Sequence, residues 1–174
     1  MGKQSNKRQS IIILCGFMFL LALVLLLAHL NRPAQMMQSG TLTISRAGEL
    51  LGQYTVEELQ SLPYVEVEKE IVSSSSTNEL GLWRGVPLRD LLNKISPELL
   101  SEAQNIYAYA EDAYVSSYRA SEVALNDNIL VIYAKDGQNL AGHDAGGKGP
   151  LRILVTNDAF GNRCIMYLCE IKID

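Results

Sequence analysis

Trp83-Arg84-Gly85-Val86-Pro87-Leu88-Arg89-Asp90-Leu91-Leu92 is the most informative stretch of this chain. Proline at 87 suits the start of a helix, where its missing N–H is no loss. Leu88, Leu91, Leu92 and Ile95 then recur at helical spacing, so a short amphipathic helix is expected from 87 onward. Trp83 reads as the anchor that packs this helix onto a sheet. A helix this short is stable only against a larger partner, and the flanking sequence supplies strands.

Upstream, residues 64–72 (YVEVEKEIV) alternate apolar and charged side chains, the pattern of a half-buried strand with Glu66, Glu68 and Glu70 on its wet face. Thr55-Val56-Glu57-Glu58 is a capping box opening a short helix that ends at Leu62-Pro63. Residues 41–45 alternate as a strand. Downstream, 106–110 and 114–118 flank the turn Glu111-Asp112-Ala113 as a hairpin, and 121–125 form a helical turn. Residues 129–134 are a continuous apolar strand closed by Asp136-Gly137. A glycine-rich loop, 142–149, feeds a strand over 151–156, and 164–173 make the last strand. The sum is about seven strands and two or three short helices, an α+β domain with a mixed β-sheet.

Outward again lies the N-terminus. Residues 11–30 (IIILCGFMFLLALVLLLAHL) contain one appreciably polar side chain, His29. At about 1.5 Å per residue they reach roughly 30 Å, the thickness of a bilayer's hydrocarbon core. A cleaved signal peptide is the alternative, but its apolar region is shorter and ends in a small-x-small site that Ala28-His29-Leu30 lacks. Lys3, Lys7 and Arg8 precede the segment and only Arg32 follows closely, so the N-terminus is expected in the cytoplasm. The expected organisation is a cytoplasmic 1–10, a transmembrane anchor 11–30, a linker 31–40 and a domain 41–174 outside the cell membrane.

The 174 residues carry a formal net charge of −4. Residues 1–32 hold four cations and no acid, which leaves 11 basic against 19 acidic side chains in the remainder. So acidic a domain has no electrostatic basis for gripping nucleic acid. Three cysteines exclude a disulfide scaffold. Cys164 and Cys169 fall on opposite faces of the last expected strand, so they should not pair and are read as buried free thiols. The outer domain has a single histidine, His143, and no G-x-S-x-G elbow, which argues against a hydrolase. No cluster of ligands is spaced for zinc. The 142–149 loop precedes a strand, so it is neither a Rossmann nor a P-loop turn.

Four features remain as candidates for binding. Ser73, Ser74, Ser75 and Ser76 follow a strand and are either pocket-lining hydroxyls or a solvated loop. Lys148 and Arg152 flank Gly149-Pro150 and suit an anionic group, although a plain hairpin loop has the same sequence character. Tyr107 and Tyr109 share one strand face and Tyr114 and Tyr118 another, either as a stacking wall for a flat heterocycle or as tyrosines packed on each other. Trp83 is the fourth.

The order of these pieces adds a resemblance. Residues 83–92 resemble the W-x-G-V-P-L-x-D-L-L segment of the sulfite-oxidase-type molybdopterin-binding domain. Ala110-Glu111-Asp112-Ala113-Tyr114 is similar to that family's A-x-D-G-Y, and Asp136-Gly137 with Gly149-Pro150-Leu151-Arg152-Ile153-Leu154-Val155 to its D-G…G-P-L-R-L-V-V run. Gly161-Asn162-Arg163-Cys164-Ile165-Met166-Tyr167-Leu168 fits the closing G-x-R-x-V-K-W-L pattern. The resemblance covers 41–174. It implies a mixed α/β domain cradling a pyranopterin, which in active members carries molybdenum for oxygen-atom transfer.

In those members a cysteine thiolate binds the metal about a dozen residues before the glycine of G-V-P-L, a soft ligand for a sulfur-rich site. Here that position falls on Ser73, and no cysteine occurs between 16 and 163. The family's loop histidine falls near Gly147 and its V-K-W lysine at Met166, while Arg152 and Arg163 are kept. The resemblance therefore implies a molybdopterin or pterin-like ligand held by Ser73, Ser74, Lys148, Arg152, Arg163 and Tyr114, with no cysteine-ligated metal. His143 is either a substitute for the missing histidine or an ordinary loop residue. The leading expectation is a membrane-anchored binder of a small anionic ligand. Its alternatives are a structural or interaction subunit with a protein partner in a membrane complex, and an active molybdenum oxidoreductase.

Overall fold

The computed structural model describes residues 3–30, 39–73 and 77–174, with side chains given for 13–27 in the first stretch. The chain divides into two units, Met1–Met36 and Met37–Asp174. The first holds a helix, α1 (Lys3–Leu30), and the described leucines, phenylalanines and Ile13 along it are exposed. Among the described residues no helix is long and apolar enough to cross a membrane. The expected linker lies outside the described residues as far as 38.

The second unit runs β1 (Thr41–Arg46), β2 (Glu49–Thr55), α2 (Val56–Gln60), β3 (Val65–Ile71), β4 (Glu79–Pro87), α3 (Leu88–Ile95) and α4 (Leu99–Glu102). It continues through β5 (Asn105–Ala110), β6 (Val115–Arg119), α5 (Ala120–Val123), β7 (Ile129–Lys135), β8 (Gln138–Asn139), β9 (Arg152–Val155) and β10 (Leu168–Ile173). Two sheets form. One has the order β2-β1-β10-β5-β6, and in it β1 and β10 are parallel while the other neighbours are antiparallel. The other has the order β3-β4-β7-β8, with β9 also paired to β7. This is the expected α+β architecture with a mixed sheet.

Local chemistry explains the elements that the pattern anticipates. Thr55 Oγ1 accepts the Glu58 N–H and the Glu58 carboxylate accepts the Thr55 N–H, at 3.2 and 2.8 Å, closing the capping box at the start of α2. Pro87 caps α3, which buries Leu88, Leu91 and Leu92. Each of those leucines contributes about 2 kcal/mol by leaving water. The main core joins both sheets, with Leu42, Ile44, Ile106 and Ile171 from one and Val86, Val131, Ile153 and Val155 from the other. A second, smaller core of Ile71, Trp83, Leu130, Ile132 and Leu154 covers the opposite face of the second sheet. Strand β7 is thus buried on both faces, which is why its sequence is apolar without alternation.

Four expectations change. Strand β2 was not anticipated, because a strand only partly buried along its length lacks a clear alternation. Residues 79–87 form a long strand rather than a lead-in to the helix, since β3 and β7 pair with β4 on its two sides. Trp83 accordingly packs within the second core instead of joining a helix to a sheet. The last strand begins at Leu168, and Cys164 follows a single 3-10 turn, Gly161–Arg163. Both cysteines are unpaired, but the opposite-face argument does not apply to Cys164, which lies outside the strand.

At Gly85 the backbone of β7 comes close to that of β4. A Cβ built there would sit 2.4 Å from the Val131 carbonyl oxygen, where neither backbone can yield without breaking the register. Gly85→Ala is therefore expected to cost about 2–3 kcal/mol of folding free energy, read as a lowered midpoint in urea unfolding.

Candidate functional site

Strand alternation places the first functional side chain. In β9, Leu154 belongs to the Trp83 core, and Arg152, two residues earlier, shares its face. Arg152 is only 3 % exposed. Its guanidinium carbon lies 4.9 Å from the centroid of the Trp83 ring, and Lys135 Nζ lies 5.0 Å from the same ring. Trp83 is held in turn by donating its Nε1–H to the Lys69 carbonyl at 2.9 Å. A buried cation needs an anion, and Glu79 at the start of β4 supplies it. Arg152 Nη1 donates to both Glu79 oxygens at 3.2 and 3.3 Å. Lys148 and Lys135 approach the same carboxylate at 3.4 and 3.6 Å. Burial pushes the Glu79 carboxyl up, but Arg152, Lys148 and Lys135 together outweigh it and hold the group below the usual carboxylate range.

Glu79, Lys148 and Arg152 of this cluster line a cavity of about 520 Å³, together with Ser73, Tyr114 and Cys164, while Trp83 and Lys135 stand behind them. Four of the residues singled out in the sequence, Ser73, Tyr114, Lys148 and Arg152, thus share one cavity. Ser73 is partly tied down through its backbone N–H, which donates to the Asn78 side chain at 3.2 Å. Tyr114 donates its hydroxyl to the Asn162 carbonyl at 2.7 Å and presents its half-exposed ring at the cavity. Ser74 lies outside the described residues.

Arg163 is not among the lining residues. Its guanidinium grips Asp158 at 2.6 and 2.8 Å and Glu122 at 2.9 Å, so its charge is spent within the fold. The tyrosines do not build one wall either. Tyr118 is buried and donates to the Arg163 carbonyl at 2.6 Å, and Tyr107 and Tyr109 lie half-buried on β5, outside the lining. His143 sits edge-on to Tyr167, with ring centroids 5.3 Å apart, and is likewise outside the lining. At Gly147, where the resemblance places a histidine, a Cβ would fall 2.1 Å from the Ala141 carbonyl oxygen. The loop as folded has no room for any side chain there.

Sequence reasoning missed three participants. Glu79 and Lys135 carry no local signal, since an acid opening a strand and a lysine closing one are commonplace. Cys164 is a half-buried thiol on the cavity wall whose sulfur accepts the Val155 N–H at 3.5 Å. Burial pushes its pKa up, so it is a neutral thiol at pH 7. Cys169, fully buried in β10, is pushed up to about 12 by burial and by the nearby carboxyls of Glu111 and Glu170.

The oxidoreductase molybdopterin binding domain family matches this chain over residues 29–174. No curated protein sequence matches it. Among solved structures, the sulfane dehydrogenase SoxCD from Paracoccus pantotrophus is similar with a TM-score of 0.60 and 17 % identity, over 81 % of this chain and 39 % of that one. The chain therefore spans well under half of that relative, and the likeness at this identity is one of fold.

The thiols make the site's electrostatics measurable. Because the thiolate is the nucleophile, Cys164 and Cys169 should both resist iodoacetamide at pH 7.5 in the folded protein and react together on unfolding. Peptide mass spectrometry of the alkylated protein reads this directly. Rapid labelling of Cys164 in the native state would show an activated thiol instead.

Proposed function

Because this chain belongs to the oxidoreductase molybdopterin-binding domain family, we propose that it is a membrane-anchored, extracytoplasmic domain that binds a pterin-like anionic ligand without a cysteine-ligated molybdenum. The observation carrying this reading is Arg152. Its Nε is buried and meets no hydrogen-bond partner among the described residues, which costs free energy unless a ligand satisfies it. That orphaned donor lies on a guanidinium that lines the 520 Å³ cavity, a volume suited to a small heterocyclic ligand.

The residues fit the anionic part of a molybdopterin. Arg152 and Lys148 offer charge-assisted donors to a phosphate ester, and Tyr114 offers a ring beside them. They do not fit its metal. When bound, a molybdenum centre supplies oxygen-atom transfer, and in the family a thiolate holds it. Ser73 offers only a hydroxyl, far less acidic than a thiol, and the Cys164 thiol is protonated and occupied by the Val155 N–H. No step through a metal follows from these residues. The anchor rests on the apolar run 11–30 and the cations before it.

The test is purification of the full chain from membranes after cofactor-replete expression. Pterin fluorescence after oxidative release and molybdenum content are then measured on the same sample. Pterin without stoichiometric molybdenum is expected, in a fraction that resists alkaline carbonate. Lys148→Met should lower pterin retention several-fold. Arg163→Ala should retain it while losing about 1–2 kcal/mol of stability, a modest cost because the guanidinium is partly exposed. Absence of both pterin and metal would overturn the cofactor reading, and one molybdenum per chain would favour an active oxidoreductase.

A further inference from the structure

Glu79 is the one carboxylate in this cavity placed among cations, and nothing in the sequence pattern or the family resemblance assigns it a role. Three positive groups face it: Lys135 from β7, Arg152 from β9 and Lys148 from the loop before β9. Arg152 cannot turn away, because it is buried and stacked on Trp83. Lys148 is nearly half exposed along its side chain and can swing toward a ligand. The donors an oxyanion needs are therefore already engaged by a carboxylate, while the Arg152 Nε remains without a partner.

We infer that Glu79 is a resident counter-ion, which any phosphate- or sulfate-like group entering the cavity must compete with and which thereby sets the affinity and charge selectivity of the site. Two effects follow. With no ligand, Glu79 holds three mutually repelling cations together and keeps the buried guanidinium compatible with the fold. With a ligand, two anions share one set of donors, and their repulsion weakens binding. Three cations against one carboxylate leave a surplus that favours a dianionic group over a singly charged one. Asp112, also on the cavity wall, reduces that surplus; its carboxylate accepts the Tyr114 backbone N–H at 3.1 Å. This inference rests on the anionic-ligand reading above and specifies how that same site is regulated.

The balance is also proton-linked. The cations hold the free Glu79 carboxyl below its usual range, and a bound dianion raises it again by repulsion. Binding then takes up a proton, so affinity rises as the pH falls toward the ordinary carboxylate range. The groups facing Glu79 are Lys135, Lys148 and Arg152, with Asp112, Tyr114 and Cys164 on the cavity wall.

Inorganic sulfate is the probe, because its charge is constant over this interval. Full-length protein in detergent is titrated calorimetrically at fixed ionic strength, as wild type and as Glu79→Gln, with Asp112→Asn as a control for the second carboxyl. Glu79→Gln is expected to bind sulfate at least about tenfold tighter at pH 7 and to have a lower melting temperature without it. Wild type and Asp112→Asn should both bind several-fold tighter at about pH 4.5 than at pH 7, and Glu79→Gln should lose that dependence. Should Glu79→Gln fail to fold, the pH series of wild type and Asp112→Asn decides. Unchanged sulfate affinity in Glu79→Gln, or a flat pH series, overturns the counter-ion role even if wild type copurifies with pterin. If no form binds sulfate and no pterin copurifies, the anionic-ligand reading falls with it.

Discussion

A charged guanidinium can be buried in a protein only if its surroundings repay the water it has lost. Arg152 meets that condition through Glu79 on one side and the face of Trp83 on the other. The geometry of the cavity depends on this arrangement. Trp83 is fixed by the Lys69 carbonyl, Lys135 shares the ring, and Lys148 is drawn toward the same carboxylate. The result is a cluster that is positive on balance, rigid where it is buried and adjustable at the solvent edge.

The fold delivers these groups from separate parts of the chain. Pairing of β4 with β7 sets Trp83 opposite Lys135, and pairing of β7 with β9 sets Ile132 opposite Arg152. An isolated bridge from Ile153 to Ile165 brings the 161–166 segment against β9, which seats Cys164 and Asn162 on the cavity wall. Arg163, between them, turns the other way and binds Asp158 and Glu122. One short segment thus contributes Gly161, Asn162, Cys164 and Met166 to the cavity wall and Arg163 to the scaffold. The two arginines that the resemblance groups together, Arg152 and Arg163, therefore play different physical parts.

How much was legible follows from which interactions are local. The capping box at Thr55, the helix after Pro87 and the alternation of β3 depend on neighbours within a few residues, so the sequence displays them directly. Strand β2 escapes notice because it is only partly buried. Strand β4 escapes because Gly81 and Gly85 resemble loop punctuation, whereas both are places where β7 leaves no room for a side chain. Within the site, Ser73, Tyr114, Lys148 and Arg152 were recognisable as polar or cationic residues near loop-strand boundaries. Glu79 and Lys135 were not, because only a long-range pairing gives a strand-end charge a partner.

By itself the sequence determined the class of domain, its acidic composition, the apolar N-terminal run and the lack of any cysteine between 16 and 163. Each of these is a property of residue identity and short-range spacing. Tertiary structure alone decided that Arg152 is buried against Trp83, that Arg163 serves the scaffold and that Glu79 stands among three cations. Electrostatic partnership depends on distance in space and on exclusion of water, and neither is set until the strands pair.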